Sequence, residues 1–454
     1  MTDSSSTPAN TPGPLPVRAA MDRRSLLRGA AALGITGAAG SLLAACGGVK
    51  SAGGSSSAAA AGGTQTLRIG YVTPSTGFAA GFGEVDPFVV EQVTKAVSKG
   101  LTIGGTTYQV RIEVKDSQSD PQQAAKVANE LIASGVDMLV TSSTPETVNP
   151  VADAAEAARV PCLSTVCPWE AFYFGRGATP DKPFTYTYHF FIGVDDLAVV
   201  YKSLWLNGVP NNKKVGVLWP NDADGNAIRA GLGPILTKAG LTVVDPGAFP
   251  TGTQDFTSII STFKKSDVEV VNSFAIPPDF ATFWKQAAQQ GFRPKIATIA
   301  KTGLLPEQVE ALGDLGPGLT AGVYWHPSWP TRSALLGLSS ADLAAAYEKS
   351  SGNQWTQNLG TTTALLETAI SALVSSGSPK DRTAVANALG KTSIDTVVGR
   401  LDWTSGPVKN VVAEPLVGGK WVEAEDGPFP LDIRIVENSG YPSAPVAAED
   451  TALS

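Results

Sequence analysis

The alternation of short apolar runs with helical patterns from Leu67 onward is the feature that most constrains the fold. Residues 67–72 and 110–114 have the pattern of strands, and a helix is predicted to begin at Asp120-Pro121. Asp is a preferred helix cap and Pro fits the first helical position. The apolar face of that helix recurs at helical spacing, at Ala124, Val127, Ala128, Leu131 and Ile132. Repeated strand–helix units predict parallel α/β layers whose strand ends meet at one edge.

The folded part of the chain is too long for one simple core. About 390 residues follow the Gly/Ser/Ala-rich stretch that ends near residue 63, which suits two lobes of ordinary size. A second strand–helix series begins near Asp195 and continues to residue 299. Helical patterns then return at residues 341–349 and 361–375, so we expect late helices to cover one of the two sheets.

The N-terminal 45 residues have the pattern of a disordered stretch followed by an export signal. Arg23 and Arg24 precede a short, glycine-interrupted apolar run, and the paired arginines resemble a twin-arginine signal. The run ends in Leu-Ala-Ala-Cys46, which resembles the lipidation motif of lipoproteins. A membrane-spanning helix is disfavoured, since it needs roughly 20 strongly apolar residues. Residues 46–65 then form a flexible tether, and translation could start at Met1 or at Met21.

The net charge and the cysteine content limit the ligands and the covalent links that the mature chain can have. Without the first 45 residues, 30 basic and 39 acidic residues remain, a net charge of −9, which argues against binding nucleic acid. Cys162 and Cys167 are the cysteines that follow Cys46. Two interpretations stay open for them: a disulfide formed outside the cytoplasm, or two small buried thiols. No sequence motif calls for a cofactor or a metal ion.

A series of short motifs occurs in a characteristic order along the body. They are Ile69–Gly77 after the first strand, Asp116–Pro121, Thr141–Pro145, Val160–Thr165 and Leu218–Gly225. Each motif is weak alone, but the ordered series resembles the type I periplasmic binding proteins of the leucine/isoleucine/valine-binding branch. The resemblance covers about residues 66–440.

The resemblance implies an α/β fold of two Rossmann-like lobes, a clamshell joined by three crossovers. We place the crossovers near residues 190–195, 324–330 and 407–411. Lobe one is then 66–192 with 327–407, and lobe two is 193–326 with 408–454. The implied function is an extracytoplasmic solute-binding lipoprotein, anchored to the outer face of the cell membrane through a lipid on Cys46.

This protein would deliver a small polar or carboxylate-bearing solute to the permease subunits of an ABC importer, and we expect a monomer. A ligand-sensing lipoprotein of the same fold is the alternative. The identity of the ligand stays open between an amino acid, an amide, an aromatic acid and other solutes.

Candidate ligand-binding residues of lobe one follow the ends of predicted strands. Hydroxyls and backbone amides at such ends suit a carboxylate near a helix N-terminus, although Ser and Thr are also ordinary helix caps. Aromatic side chains nearby could stack on a ligand or pack beneath a loop. The candidates are Ser75, Thr76, Phe78, Ser142, Ser143, Thr144, Ser164, Thr165, Val166 and Trp169.

Lobe two contributes Asn221, Asp224, Phe274 and Lys301 as candidates. The resemblance implies an acidic residue near the position of Lys301 to meet the ligand's ammonium, so Lys301 reverses the expected charge. A basic group in the cleft favours an anionic ligand without a free amine. Asp224 could instead accept the ammonium, and Lys301 could be an ordinary loop lysine; the sequence leaves these possibilities open.

A secreted hydrolase is the main rival class. The sequence has no Gly-x-Ser-x-Gly or His-Glu-x-x-His motif and two histidines, His189 and His326. This leaves little for a Ser/His triad or a zinc site. We therefore expect no catalytic residues and predict that the protein is not an enzyme.

Overall fold

The computed structural model describes residues 65–447. The predicted export signal at Arg23 and Arg24, the lipidation site Cys46 and most of the tether lie outside the described residues. Among residues 65–447, no helix combines the length and the apolar character needed to cross a bilayer.

Residues 65–447 contain sixteen strands. In chain order they are β1 (Gln65–Thr73), β2 (Leu101–Ile103), β3 (Thr106–Asp116), β4 (Met138–Ser142), β5 (Cys162–Thr165), β6 (Thr187–Phe190), β7 (Lys214–Leu218), β8 (Thr242–Val244), β9 (Val270–Ser273), β10 (Ile296–Ile299), β11 (Thr320–Val323), β12 (Ser393–Thr396), β13 (Gly399–Asp402), β14 (Val411–Val412), β15 (Val417–Glu423) and β16 (Leu431–Glu437).

The same part of the chain contains twelve α-helices. They are α1 (Asp86–Ala96), α2 (Pro121–Ala133), α3 (Pro145–Ala158), α4 (Trp169–Tyr173), α5 (Val194–Asn207), α6 (Ala223–Lys238), α7 (Thr257–Lys265), α8 (Pro277–Gln289), α9 (Pro306–Glu310), α10 (Ser340–Ser351), α11 (Asn358–Ser375) and α12 (Arg382–Leu389).

The strands form two seven-stranded sheets and a small hairpin. The sheet of lobe one has the order β14-β6-β5-β4-β1-β3-β2, and the sheet of lobe two has the order β16-β15-β11-β10-β9-β7-β8. Pairing is parallel in both central regions and antiparallel at β2 in lobe one and at β15 and β16 in lobe two. The predicted fold class, two α/β lobes of the clamshell type, is confirmed.

Local sequence explains where the helices begin. At α2, the Asp120 carboxylate accepts a hydrogen bond from the Gln123 backbone N–H at 2.7 Å, and Pro121 occupies the first helical position. Val72 of β1 and Leu139 of β4 lie in the same buried cluster as the apolar face of α2, and β4 is buried along its whole length. Uninterrupted apolar strands are typical of a parallel sheet with helices on both faces.

Three crossovers connect the lobes. They lie between Phe190 and Val194, between Val323 and Ser340, and between Val412 and Val417. The third differs from the predicted boundary at residue 407, because Val411 and Val412 pair with β6 and complete the sheet of lobe one. A two-residue edge strand gives no periodicity, so its sheet is decided by contacts distant in sequence.

Cys162 and Cys167 are both free thiols buried in lobe one, so the possible disulfide is not formed. Cys162 lies in β5 and Cys167 follows the turn after that strand. Burial raises the pKa of the Cys162 thiol to about 12. The structure has the other open alternative, two small buried thiols.

Candidate functional site: a pocket between the lobes

A pocket lies where the two lobes meet. Its empty volume is about 530 Å³ including its mouth. Lobe one, the first two crossovers and lobe two all contribute to its wall, which is formed by Phe82, Thr144, Val166, Pro168, Phe191, Ile192, Leu197, Tyr201, Asp224, Phe274, Ala300, Lys301, Leu304, Gly322 and Tyr324. Parallel α/β sheets present ligand sites at the carboxyl ends of their strands, which is where most of these residues lie.

The wall is mainly apolar and aromatic. Phe82 and Val166 come from lobe one, Phe274 follows β9 in lobe two, and Phe191 and Tyr324 lie on the first and second crossovers. The Phe191 and Tyr324 rings meet edge to face with centroids 4.9 Å apart. Such a wall buries the apolar body of a small ligand and leaves orientation to a few polar groups.

A compact charged cluster occupies the lobe-two side of the pocket. The Lys301 ammonium lies 2.9 Å from a carboxylate oxygen of Asp222 and 2.9 Å from one of Asp224. The side chains of Lys301 and Asp224 are 7% and 4% exposed. Asp222 also caps α6, since its carboxylate accepts a hydrogen bond from the Gly225 N–H at 2.7 Å.

Asp224 is the polar group of this cluster with capacity left for a ligand. Its Oδ2 meets Lys301, whereas its Oδ1 is buried and has no hydrogen-bond partner. Burial raises the pKa of Asp224 above its ordinary value, and the Lys301 ammonium opposes that effect. An orphaned buried carboxylate oxygen is costly, so a ligand donor that reaches Oδ1 would remove that cost on binding.

The positive charge of Lys301 is already neutralised. Burial disfavours the ammonium, but Asp224, Asp222 and Glu146 together raise the pKa of Lys301 above its ordinary value. Glu146 reaches this region from lobe one, where its carboxylate accepts a hydrogen bond from the Ala223 N–H across the cleft at 3.2 Å. Three carboxylates therefore surround one ammonium, and the Lys301 charge is engaged within the protein.

The lobe-one side offers a site for a carboxylate. Thr144 precedes α3, its hydroxyl is buried, and that hydroxyl neither caps the helix nor has any other partner among the described residues. Thr144 lines the pocket. A helix N-terminus with free backbone N–H groups attracts anions.

Two pocket residues have backbone conformations that non-glycine residues seldom adopt. Val166 has φ +68° and Lys301 has φ +51°, and both line the pocket. A β-branched residue such as Val at positive φ costs on the order of 1–3 kcal/mol. Strain of this kind persists where the surrounding structure enforces it, and it concentrates at functional sites.

The structure brings five predicted residues together in the pocket: Thr144, Val166, Asp224, Phe274 and Lys301. Ser75, Thr76 and Phe78 lie elsewhere, in an exposed loop. The Thr76 hydroxyl donates to Asp116 at 2.6 Å, and the Ser75 backbone N–H donates to the same carboxylate at 2.9 Å. Phe78 is 45% exposed.

None of the four hydroxyls of the predicted pairs Ser142/Ser143 and Ser164/Thr165 lines the pocket. Ser142 bonds the Tyr71 hydroxyl at 2.9 Å, and Ser164 bonds His189 Nδ1 at 2.8 Å, so both serve the core of lobe one. Ser143 and Thr165 are fully buried, and their hydroxyls have no partner, although neither lines the pocket. Their role in binding stays a prediction.

Trp169 and Asn221 also lie away from the pocket wall. The Trp169 ring packs on Phe174 and against Gly193, where an added Cβ would lie 2.0 Å from the indole nitrogen. The exposed Asn221 donates its backbone N–H to the Phe249 carbonyl at 2.8 Å. Among residues 65–447, no group of three His, Cys, Asp or Glu side chains is placed to hold a metal ion.

Sequence reasoning missed the pocket residues on the crossovers, chiefly Phe191, Ile192 and Tyr324. A signal for them existed, because a pocket between two lobes must be bordered by the segments that join the lobes. Leu197 and Tyr201 of α5 also line the pocket, and helical spacing does not reveal which apolar side chains of a helix meet a cavity.

The fold and the pocket define a two-lobed α/β binding protein that encloses a small molecule between its lobes. The family model described as periplasmic binding protein matches residues 66–424, and the chain belongs to this family.

Curated relatives agree with the leucine/isoleucine/valine-binding branch. A leucine-, isoleucine-, valine-, threonine- and alanine-binding protein of Pseudomonas aeruginosa is 24% identical over 57% of this chain. That match spans 66% of the relative, just under two thirds of its length. The Leu/Ile/Val-binding protein BraC3 of Rhizobium johnstonii is 24% identical over 78% of this chain and 91% of its own.

Solved structures share the fold. The leucine-binding protein LivK of Thermotoga maritima has a TM-score of 0.66 at 19% identity, covering 82% of this chain and 99% of that one. A solute-binding protein of Rhodopseudomonas palustris BisB5, solved with 3,4-dihydroxybenzoic acid, has a TM-score of 0.64 at 18% identity, covering 83% and 99%.

The predicted resemblance to the type I branch is confirmed by these matches. The prediction of a non-enzyme is confirmed as well, because the family and its curated relatives are binding proteins. Membership of a periplasmic family also places the protein outside the cytoplasm.

Proposed function

We propose that this protein is the lipid-anchored solute-binding component of an ABC importer and that its solute is a small zwitterion with an apolar body. Asp224 Oδ1 carries the proposal: it is a buried carboxylate oxygen without a partner, in an apolar pocket between two lobes. A ligand amine would donate to it.

The remaining polar features of the pocket support the same solute class. The free hydroxyl of Thr144 and the N-terminus of α3 suit a carboxylate on the lobe-one side. The apolar wall around Phe82, Phe274 and Tyr324 suits an aliphatic or aromatic side chain. An α-amino acid with an apolar side chain satisfies all three, whereas an aromatic acid without an amine leaves Asp224 Oδ1 unpaired.

A thermal-shift screen tests this proposal. Apolar amino acids, their amides, aromatic acids and dicarboxylates are added to the purified protein, since a ligand of the folded state raises its melting temperature by mass action. We expect the largest rise with apolar amino acids. The proposal fails if no class raises the melting temperature of the folded protein, or if aromatic acids alone do so.

The isosteric variant Asp224→Asn locates the binding site. It keeps the shape of the side chain but removes the charge that meets the amine, so the amino-acid shift should fall to near zero. Asp267→Asn is the matched control, because its side chain is 78% exposed in lobe two and does not line the pocket. An equal shift in Asp224→Asn and Asp267→Asn would contradict a role for Asp224.

Anchoring and delivery need separate measurements. The Leu-Ala-Ala-Cys46 motif supports lipidation, so Cys46→Ala should release the protein from the membrane fraction and abolish labelling by a radioactive fatty acid. Delivery predicts that deleting the protein abolishes cellular uptake of its ligand. Unchanged uptake together with a lost transcriptional response would favour the sensing alternative.

A further inference from the structure

We propose that a second cleft binds an organic cation that carries an ammonium or guanidinium group. The cleft lies at the seam, the line along which the surfaces of the two lobes meet. The cleft has an empty volume of about 460 Å³. It is lined by Glu84, Gly352, Asn353, Gln354 and Thr356 of lobe one and by Pro306, Glu307, Glu310 and Phe429 of lobe two. It shares no residue with the interlobe pocket.

Negative charge without a counter-ion is the first observation. Glu84 faces Glu307 and Glu310 across the seam, and none of the cleft residues, all within the described range, is a Lys or Arg. Burial and the nearby Glu307 raise the pKa of Glu84, while Asn353 and Tyr347 donate to its Oε1 at 2.9 and 3.2 Å and oppose that effect. Closing the lobes therefore brings like charges together, and a bound cation would offset their repulsion.

Orphaned acceptors in the same cleft are the second, independent observation. Thr356 is 2% exposed, and its buried hydroxyl has no hydrogen-bond partner. The amide oxygen of Gln354 is also buried and unpartnered, whereas its NH₂ donates to the Leu431 carbonyl at 2.8 Å. Buried polar groups in folded proteins nearly always have a partner, so these two oxygens are open to a donor that enters the cleft.

The aromatic residue of the cleft selects the kind of cation. The Phe429 ring completes the wall on the lobe-two side, and the face of an aromatic ring attracts ammonium and guanidinium groups. The acidic groups do not come together closely enough for a metal ion, since no three such side chains are grouped for one among residues 65–447. A larger cation with several N–H donors can reach acceptors spaced around a cleft.

The position of the cleft links it to the interlobe pocket. Phe82 and Leu304 line the pocket, and Glu84 and Pro306 line the cleft two residues further along each lobe. Both cavities are complete only when the lobes meet. A ligand in one therefore favours the closed state that the other requires, and the two bindings should be positively coupled.

Isothermal titration of the purified full-length protein tests the site, with spermidine and a terminally blocked tripeptide with a central arginine as probes. We expect saturable binding of at least one. If spermidine binds, the natural ligand of the cleft is a small-molecule amine. If only the peptide binds, the natural ligand is a basic side chain of a partner protein. The proposal is overturned if neither probe gives saturable heat, or if calcium ions bind where both probes fail.

Variants of the cleft residues distinguish specific binding of the probe in the cleft from nonspecific attraction of a cation to a negatively charged protein. Glu310→Gln should weaken probe binding about tenfold, and Phe429→Leu by several-fold. Thr356→Val, which is isosteric, should weaken it without unfolding the protein. Asp395→Asn is the charge-matched control, since this residue is 80% exposed on the lobe-one hairpin. Equal affinity in Glu310→Gln and Asp395→Asn would overturn the site, even where amino-acid binding in the interlobe pocket is intact.

Discussion

At the scale of single residues, the charged cluster of the pocket is expected to contribute to stability. The Lys301 ammonium lies 2.9 Å from a carboxylate oxygen of Asp222 and of Asp224, and all three side chains are largely buried. Breaking a buried pair by removing one partner leaves an uncompensated charge, which costs more than the pair itself contributes. In the proposed function Lys301 is thus a positioning residue, which holds one Asp224 oxygen and leaves the other without a protein partner.

Replacing Lys301 with Met should destabilise the protein by about 3 kcal/mol, because two buried carboxylates lose their counter-ion. Urea unfolding measures the loss. Lys95→Met is the matched control, since the Lys95–Glu91 pair lies on the surface with side chains 63% and 56% exposed, and it should change stability by under about 1 kcal/mol. The double variant Lys301→Met/Asp224→Asn should recover part of the loss, and no recovery would argue against a direct coupling.

Glu367 should make stability depend on pH. Burial raises its pKa to about 7, although the Ser333 hydroxyl donates to it at 2.6 Å and backbone N–H groups donate as well. The folded state then holds a proton that the unfolded state releases near pH 4.5. This contribution is full below pH 4.5 and is lost as the pH rises to about 7, on the order of 3 kcal/mol.

Glu367→Gln removes this titration. The free energy of unfolding, measured with urea at several values between pH 4.5 and 7, should fall less steeply in the variant than in the wild type. Glu130→Gln, at an exposed position on α2, controls for the change in net charge. The same slope in Glu367→Gln and in the wild type would show that Glu367 titrates normally.

At the scale of elements, α11 is the almost fully buried helix of lobe one. Nearly every residue from Asn358 to Leu373 is buried, so the helix has no polar face to indicate its orientation. Its glycine at position 360 permits a close approach, because a Cβ there would lie 2.2 Å from the Trp325 ring. Trp325 follows the pocket residue Tyr324, which places this contact beside the second crossover.

Gly360→Ala should therefore destabilise the protein by about 1–3 kcal/mol through overpacking against Trp325. Gly233→Ala is a matched control in the interior of α6, where the added Cβ meets Trp219 only at an ordinary 3.6 Å. That control should change stability by under about 1 kcal/mol, because the helix propensity of Ala is opposed by the restriction that Pro234 places on the residue before it. Thermal or urea unfolding compares them, and similar behaviour of the two variants would contradict the close approach.

At the scale of the whole molecule, closure of the lobes rests on a few contacts along the seam. One is between Gly81 of lobe one and Leu305 of lobe two, where an added Cβ would lie 2.8 Å from a Leu305 methyl group. Another is the hydrogen bond from the Ala223 N–H to Glu146. Each lobe has its own sheet, so a change at the seam should alter closure more than folding.

A bulky side chain at Gly81 should hold the lobes apart. Gly81→Phe is expected to increase the radius of gyration in small-angle X-ray scattering and to weaken ligand binding at least tenfold, with unfolding free energy little changed. Adding Leu305→Ala makes room for the ring and should restore part of the affinity. Unchanged scattering and affinity in Gly81→Phe would show that this contact does not limit closure.

The sequence by itself determined the lobes, the alternation of strands and helices, and the family, because periodicity, helix caps and ordered motifs are local properties. It also identified Thr144, Val166, Asp224, Phe274 and Lys301, which all follow strand ends that a parallel sheet brings to one edge. The lobe that receives β14, the crossover residues of the pocket and the free state of Cys162 and Cys167 were decided only by tertiary structure. So was the environment of Lys301. The sequence left open whether its charge meets an anion, whereas in three dimensions Asp222 and Asp224 pair with it and one oxygen of Asp224 has no partner.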